Sequence, residues 1–331
     1  MTFVKDISEF DIINRLEKVL INNLSMTLPK DIKMSIGDDS AVITTDNGLQ
    51  VISTDALVEN VHFIYAQIPM ADLGWKSIAV NYSDIAAMGC EPVASVVTLG
   101  LKPDQKIEDI EDLYLGFSKI INEYGGSLIG GDIVKSDTFF ISITVIGKTN
   151  TGNTLTRANA IPGDVIAVTG HLGNSSAGYK LINGNNAKND INLEFIKAHN
   201  QPIPRIIEGI TALECGISTG MDISDGLIKD LTKICVASDV AAEIYVDDIP
   251  VSNNLKTLFP DTWLDLVLGG GEDYELLLIG NRNLIQNINK REGIDLSIIG
   301  SIHEGNSKVS VYNQKKEILD INLTGWDHFK N

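Results

Sequence analysis

Aspartates set beside glycine, serine or threonine recur along this chain, each at the expected end of a strand or helix. Asp38 and Asp39 lie in IGDDSAV, Asp55 in ISTDAL, Asp84 in NYSDIAAMG and Asp132 in IGGDIV. Asp222 and Asp225 follow in MDISDGL, then Glu272 and Asp273 in GGGEDYEL. Carboxylates on short stems are hard oxygen donors of the kind magnesium takes, with waters and substrate phosphates completing its octahedron. Neighbouring glycines let the backbone approach a ligand closely and adopt positive φ. Many such acids converging without cations would repel one another and raise their own pKa values, so convergence requires divalent ions among them. A site of that composition suits phosphoryl transfer, where positioning and charge neutralisation do most of the catalytic work.

Each piece taken alone has a structural reading too. DG, GDD and GED are ordinary turn signals. Ser224 and Asp225 stand where a helix begins, because Leu227, Leu231 and Ile234 follow at helical spacing, and an N-cap serine with a first-turn acid stabilises a helix by about 1 kcal/mol with no ligand at all. Asp84 is harder to assign to structure. Ala79, Ser83, Ala86, Ala87 and Gly89 around it are small, which predicts a closely packed helix, and a carboxylate buried there without a partner is costly. The nearest basic residue, Lys76, is two turns earlier and off the same face. A metal-facing Asp84 accounts for its place beside Asn81 and Ser83 better than a solvent-facing one.

Other chemistries find little support. GNSSAGYK at 173–180 resembles a P-loop with one residue inserted before the lysine, and it lacks the following serine or threonine that would hold magnesium. It reads equally as a phosphate-friendly helix start and as a turn of small residues. No HExxH occurs, and the five histidines lack metal-ligand spacing.

The elements that must position the acids follow from periodicity. Helices are expected over 9–24, 72–89, 109–124, 201–215 and 225–237, and strands over 50–54, 93–99, 139–146, 165–169, 242–246 and 275–279. Residues 127–129 lead into GGD, read as a turn, and 184–190 read as a loop. The polar, glycine-punctuated GKTNTGNTLTR at 147–157 marks a boundary between domains 1–150 and 151–331. Strands alternating with helices in both halves predict an α/β fold of α+β layers.

The 331 residues are 44% apolar and 21% charged, enough for two packed domains. The formal net charge of −18 repels phosphate backbones and anionic lipid heads, which speaks against nucleic-acid and membrane partners. Three cysteines without CxxC spacing point to neither a disulfide framework nor zinc. MTFVKDISEF is mixed and acidic where a signal peptide would be basic and then apolar, so a cytoplasmic protein is expected.

GDDSAV, STDALVENVHF, AVNYSDIAAMG, GGD, LTRANAIPGD, MDISDGL, GGGEDYEL and GWDHF occur in this order over nearly the whole chain. Together they resemble the thiamine-monophosphate kinases of the aminoimidazole-ribonucleotide-synthetase-like superfamily. SDIAAMG, GGD and SDG are shared across the superfamily, whereas STD…HF, GGEDYEL and GWDHF narrow the resemblance to these kinases. It implies ATP-dependent phosphorylation of thiamine monophosphate to thiamine diphosphate by direct in-line transfer, with ATP as co-substrate and several Mg2+ ions. It also implies a two-domain fold whose N-terminal strands pair across a homodimer into a barrel-like core, with the C-terminal domain closing the cleft. Carried over position by position, Asp39, Ser53, Thr54, Asp55, Asp84, Asp132, Asp222 and Asp225 would be magnesium ligands. Tyr114, Gly131, Asp132, Arg157 and Ser224 would contact ATP, and His62, Glu272 and Trp326 the thiamine phosphate. No catalytic general base is assigned, because the acceptor is itself a phosphate whose second pKa is about 6. Asn60 and Asn174 depart from the family pattern, where glycine and an acid respectively are common. The alternatives are another ATP-dependent synthetase of the superfamily and a non-catalytic nucleotide-binding protein.

Overall fold

The computed structural model describes residues 32–34, 38, 40–45, 48–184 and 190–320. The helix expected over 9–24, Asp39, Trp326 and most of the loop expected over 184–190 lie outside the described residues. Within them the chain builds two six-stranded sheets. The first contains β1 (Ile32–Met34), β2 (Ala41–Thr45), β3 (Gly48–Val58), β4 (Glu91–Leu101), β5 (Leu128–Lys135) and β6 (Phe140–Thr149), in the order β1-β2-β3-β6-β4-β5. Only β4 and β5 run parallel; the other pairs are antiparallel. Strict alternation along β6 buries Ile141, Ile143 and Val145 on one face, as period two demands.

Two helices cover that face. α1 (Met70–Ala87) starts after Pro69, and α2 (Ile107–Tyr124) ends at Gly125, which takes positive φ. α1 is buried nearly all round, the signature of a helix enclosed by protein on every side. Its approach to α2 is backbone to backbone: a Cβ on Gly74 would lie 2.0 Å from the Leu113 carbonyl oxygen, and one on Gly116 2.1 Å from that of Ala71. Gly116→Ala therefore forces the helices apart. Overpacking of this kind costs about 1–3 kcal/mol, partly offset by the ~1 kcal/mol helix preference of alanine over glycine. The expected net result is a lower urea midpoint; an unchanged midpoint would show slack between the two helices.

The second sheet follows β7 (Val165–Thr169), β8 (Thr219–Asp222), β9 (Ala241–Tyr245), β10 (Leu276–Gly280), β11 (Leu296–His303) and β12 (Val309–Tyr312), in the order β12-β9-β11-β7-β10-β8. Its helices are α3 (Asn174–Asn183), α4 (Asp190–Asn200), α5 (Ile206–Glu214), α6 (Leu227–Ser238), α7 (Asn253–Leu258), α8 (Trp263–Gly269) and α9 (Arg282–Ile288). The two units share a core. α5 meets α1 at Gly209, where a Cβ would lie 2.1 Å from the Ala86 carbonyl oxygen. One apolar cluster runs from Val51 and Ile143 through Ile85 to Leu213, Leu276 and Leu278.

One expected turn is a strand. Gly130, Gly131 and Asp132 lie inside β5, paired with Val96, Val97 and Thr98 of β4. Gly131 serves a close backbone approach in place of a reversal: a Cβ there would lie 1.9 Å from the Val97 carbonyl oxygen. The helix expected over 201–215 also starts later, at Ile206, because Pro202 and Pro204 hold the preceding residues extended.

Candidate active site

α1 is the spine of the site. Its C-terminal half presents Asn81, Ser83 and Asp84, which fasten it to one strand of each sheet. The Asn81 side-chain oxygen accepts from the Asp55 backbone N–H at 3.1 Å, fixing the middle of β3. Ser53 Oγ, also on β3, donates to Asp84 Oδ2 at 2.5 Å. Ser83 Oγ donates to Asp222 Oδ2 at 2.7 Å, reaching the end of β8 in the second sheet. The small side chains that made this helix unusual in sequence are thus what lets two sheets close on it.

Four carboxylates bear on one buried tyrosine here. Tyr274, buried on the loop before β10, has its hydroxyl pushed well above its ordinary pKa, first by burial and then by the negative charges of Glu272, Asp55, Asp222 and Asp84. The phenol therefore stays protonated as a donor among acids. Thr54 does not join them. Its hydroxyl faces the other side of the sheet, where it donates to the Ile143 carbonyl at 2.9 Å and accepts from Thr144.

The SDG turn enters from the second unit and is held by Asp230, which is fully buried on α6. One carboxylate oxygen of Asp230 accepts from the backbone N–H groups of Ser224, Asp225 and Gly226 at 2.9–3.1 Å. Asp225 lies 3.0 Å from Lys229 and 2.8 Å from Lys233. Burial opposes its ionisation, but the two ammonium groups outweigh it and hold the carboxyl below its usual range.

The GGGEDYEL loop lies against that turn. Glu272 and Tyr274 both take positive φ, 63° and 52°. Their N–H groups donate to the carbonyls of Ser224 and Ile223 at 2.8 and 2.9 Å. Between them Asp273 accepts from the N–H groups of Gly173 and Ser175, at 2.7 and 3.1 Å, at the start of α3. Burial nevertheless dominates there, and the Asp273 carboxyl is pushed up to about 7. Glu272 behaves oppositely. Burial works against its charge, but Lys76, His199 and His62 together hold it below the ordinary carboxylate range.

A cavity opens beside Glu272, lined by His62, Lys76, Tyr179, Asn183, His199 and Asn60 among others. His62 accepts the Val58 N–H on Nδ1 at 3.0 Å, which leaves the proton of the neutral ring on Nε2. His199, 7% exposed, is pushed down to about 4, by burial first and by the Lys76 ammonium second. Below about 6.5 the unfolded chain takes up a proton on His199 that the folded chain refuses until about pH 4. The His199 contribution to stability is therefore full above pH 6.5 and is lost as pH drops towards 4, by an amount of order 3 kcal/mol, while Asp273, raised to about 7, acts with the opposite sign over the same window. His199→Asn should remove the His199 part of the slope in urea melts between pH 4 and 6.5; an unaltered slope would assign it to other groups.

The remaining expected residues lie elsewhere. Arg157 follows the boundary segment, its N–H donating to Asp38 at 3.1 Å and its Nε 3.8 Å from the same carboxylate. That contact ties the GDD segment to the second unit. Gly131 and Asp132 sit on the edge strand β5, where the Asp132 side chain is exposed and accepts from the Ile133 N–H. Tyr114 lies on α2, 36% exposed, edge-on to Phe117. Asp39 and Trp326 lie outside the described residues.

Among the described residues no three His, Cys, Asp or Glu side chains form a group able to hold a metal ion by themselves. The donor set nevertheless fits magnesium, which is bound through one or two carboxylates with waters and substrate phosphates, not by an all-protein cage. Asp84 with Ser53, and Asp222 with Ser83, are oxygen-only pairs of that kind.

Lys76, His199, Tyr274 and Asp230 carry much of this geometry, yet none stood out in the sequence. For Lys76 the available signal was a lone charge inside a run of small and apolar residues. For Tyr274 it was adjacency to the acids of GGGEDYEL.

Comparison with known proteins is extensive. The AIR synthase related protein N-terminal domain matches residues 37–149, and the AIR synthase related protein C-terminal domain matches 162–313. Thiamine-monophosphate kinase of Buchnera aphidicola (subsp. Schizaphis graminum) is 37% identical over 97% of this chain and 99% of its own. That of Bacillus subtilis is 32% identical, again over 97% and 99%. Among solved structures, AaThiL complexed with AMPPCP and TMP is 31% identical, covers 99% of both chains and superposes with a TM-score of 0.87. The Escherichia coli hydrogenase maturation protein HypE shares the fold alone, at 17% identity over 95% of this chain and 97% of its own, with a TM-score of 0.71.

Proposed function

We propose, from the premise that the chain belongs to the AIR synthase related proteins and within them to the thiamine-monophosphate kinases, that it transfers the γ-phosphoryl group of ATP to thiamine monophosphate, giving thiamine diphosphate. The observation that carries this reading is full-length kinship with named kinases, joined to four carboxylates that bear on one buried tyrosine.

The acceptor explains the absence of an assigned base. A phosphate monoester is already ionised near neutral pH, with a second pKa of about 6. The difficulty is bringing two anions together: at 4 Å an effective dielectric near 20 leaves about 4 kcal/mol between unit charges. Magnesium, when bound, supplies the positive charge that lets nucleotide and acceptor phosphates approach. The ligands proposed for it are Asp39, Ser53, Asp55, Asp84, Asp132, Asp222 and Asp225; the hydroxyl of Thr54, expected in this set from the sequence, is left out because it faces the other side of the sheet. Of these, Ser53, Asp55, Asp84 and Asp222 are brought to one place around α1. Asp225 is held by lysines, and exchanging that partnership for a metal would be part of nucleotide binding.

Tyr114, Gly131, Asp132, Arg157 and Ser224 are proposed for ATP, Arg157 through its planar fork. His62, Glu272 and Trp326 are proposed for thiamine monophosphate. The thiazolium is a fixed cation, which a carboxylate held low in pKa beside the cavity-lining Lys76 and His199 can attract. The proposed domains are 1–150 and 151–331. A homodimer through the first sheet is supported by apolar side chains left exposed along β4 and β5, among them Val93, Val96, Ile129 and Ile133. A cytoplasmic location is consistent with the finding that no helix among the described residues is long and apolar enough to cross a membrane.

The test is product formation from ATP, magnesium and thiamine monophosphate, with free thiamine and aminoimidazole precursors in parallel. Thiamine diphosphate arising only from the monophosphate is the expected result. Folded protein that makes none would leave the fold standing and remove the substrate assignment.

A further inference from the structure

Lys76 is among the largest side chains enclosed by the protein, 1% exposed in the middle of α1. Its ammonium lies 3.2 Å from Glu272 Oε2 and 3.3 Å from His199 Nε2. An ammonium only donates, so Nε2 of His199 accepts and the ring proton sits on Nδ1. Nδ1 lies 3.0 Å from Ser175 Oγ and 3.4 Å from Glu272 Oε2. One carboxylate oxygen is thus bonded by a buried cation from α1 and lies 3.4 Å from an imidazole nitrogen of α4 whose proton faces Ser175. The latter is itself braced by α3. The Glu272 backbone is fixed separately, at positive φ, by its N–H bond to Ser224.

A buried lysine–glutamate pair is weak evidence for stability, since desolvation of two ions consumes most of what their attraction returns. An apolar residue at this point of α1 would pack among Leu73, Ala79 and Val80 without that penalty. What the pair does provide is direction. The Glu272 side chain keeps 29% of its surface exposed while Lys76 keeps 1%. The cation is the enclosed anchor and the carboxylate the more exposed end, next to a cavity that Lys76 and His199 line.

We infer that Lys76 and His199 are positioning residues for Glu272, fixing its carboxylate next to the cavity where the cationic ring of thiamine monophosphate is proposed to bind, an inference that rests on that substrate assignment. They act through Glu272 and do not touch substrate. Losing them releases the carboxylate to other rotamers, so substrate binding weakens while the metal-dependent chemistry at Asp84 and Asp222 proceeds.

The experiment is a double-mutant cycle on the full chain, with thiamine monophosphate varied at saturating ATP and magnesium. Lys76→Met is expected to raise KM about tenfold to a hundredfold, the range of one hydrogen bond to a charged group, with kcat within about threefold. Glu272→Gln should raise KM comparably, and the double variant should be no worse than the poorer single one. Multiplying losses would mean that Lys76 acts on substrate directly, and an unchanged KM in Lys76→Met would mean that it does not act on this site; either overturns the inference. Should Lys76→Met fail to fold, the cycle with His199→Asn decides the matter by the same criterion. Crystal structures of the wild type and the folded variant read the Glu272 position without any substrate, and an unmoved carboxylate overturns the positioning role. Wild-type protein that makes no thiamine diphosphate would instead remove the substrate assignment, leaving Glu272 placement to be judged from those structures.

Discussion

Asp84→Asn is expected to reduce kcat for thiamine diphosphate formation by at least about a hundredfold, the scale on which removal of one electrostatic stabiliser acts, while leaving the thermal midpoint unchanged or slightly raised. The substitution is nearly isosteric. Its remaining oxygen can still accept from Ser53 Oγ, now 2.5 Å from Asp84 Oδ2, so the contact between α1 and β3 survives. What is lost is one of the negative charges that converge on Tyr274 with Asp55, Asp222 and Glu272. Like charges held together in a low-dielectric site oppose folding, which is why stability does not fall. In catalysis the sign reverses, because the carboxylate proposed to hold magnesium has become a neutral amide. Activity and stability moving in opposite directions separates a ligand from a packing residue. The measurements are steady-state turnover over a magnesium series and a melting curve. Turnover at the wild-type rate would remove Asp84 from the metal set.

The local elements were legible wherever one periodicity dominated. β6 alternates with one face on the core, and α2 keeps its apolar residues on one stripe, so both could be placed within a few residues. Short helices such as α7, α8 and α9, each six or seven residues long, carry too few turns for a periodic signal and were not anticipated. The glycines of β5 read as a turn in the sequence because one composition serves both reversal and close approach, and only the neighbouring strand decides between them. The acids were visible as a set, but which of them meet was not. Ser53, Asp84, Ser83 and Asp222 come together because two sheets close on one helix, a long-range fact with no local trace. Thr54, adjacent in sequence to Ser53 and Asp55, faces the opposite side of β3 because strand side chains alternate. Lys76 and His199 are 123 residues apart and meet only in the folded chain.

Glu275 anchors the same loop from its far end, and its loss should be the most damaging single change to stability. Its carboxylate accepts from Arg205 Nε at 2.6 Å, Arg205 Nη2 at 2.7 Å and Thr169 Oγ1 at 2.6 Å. Arg205 opens α5, the helix whose Gly209 rests on α1, so the pair fastens the second sheet to the spine of the site. Glu275→Leu leaves the guanidinium, only 21% exposed, with the single partner Glu208 at 3.3 Å. Removing one member of a buried pair costs about 3–5 kcal/mol; the residual exposure and Glu208 place this case near the lower figure. Arg205→Met combined with Glu275→Leu should be less damaging than Glu275→Leu alone, because no unpaired cation then remains buried. Urea unfolding of the three variants measures this directly. Because the pair is shielded from solvent, the differences should persist at high salt, where an exposed pair would be screened. If Glu275→Leu melts with the wild type, water reaches Arg205 freely and the loop before β10 is held without it, by its bonds to Ile223 and Ser224 and by Asp273.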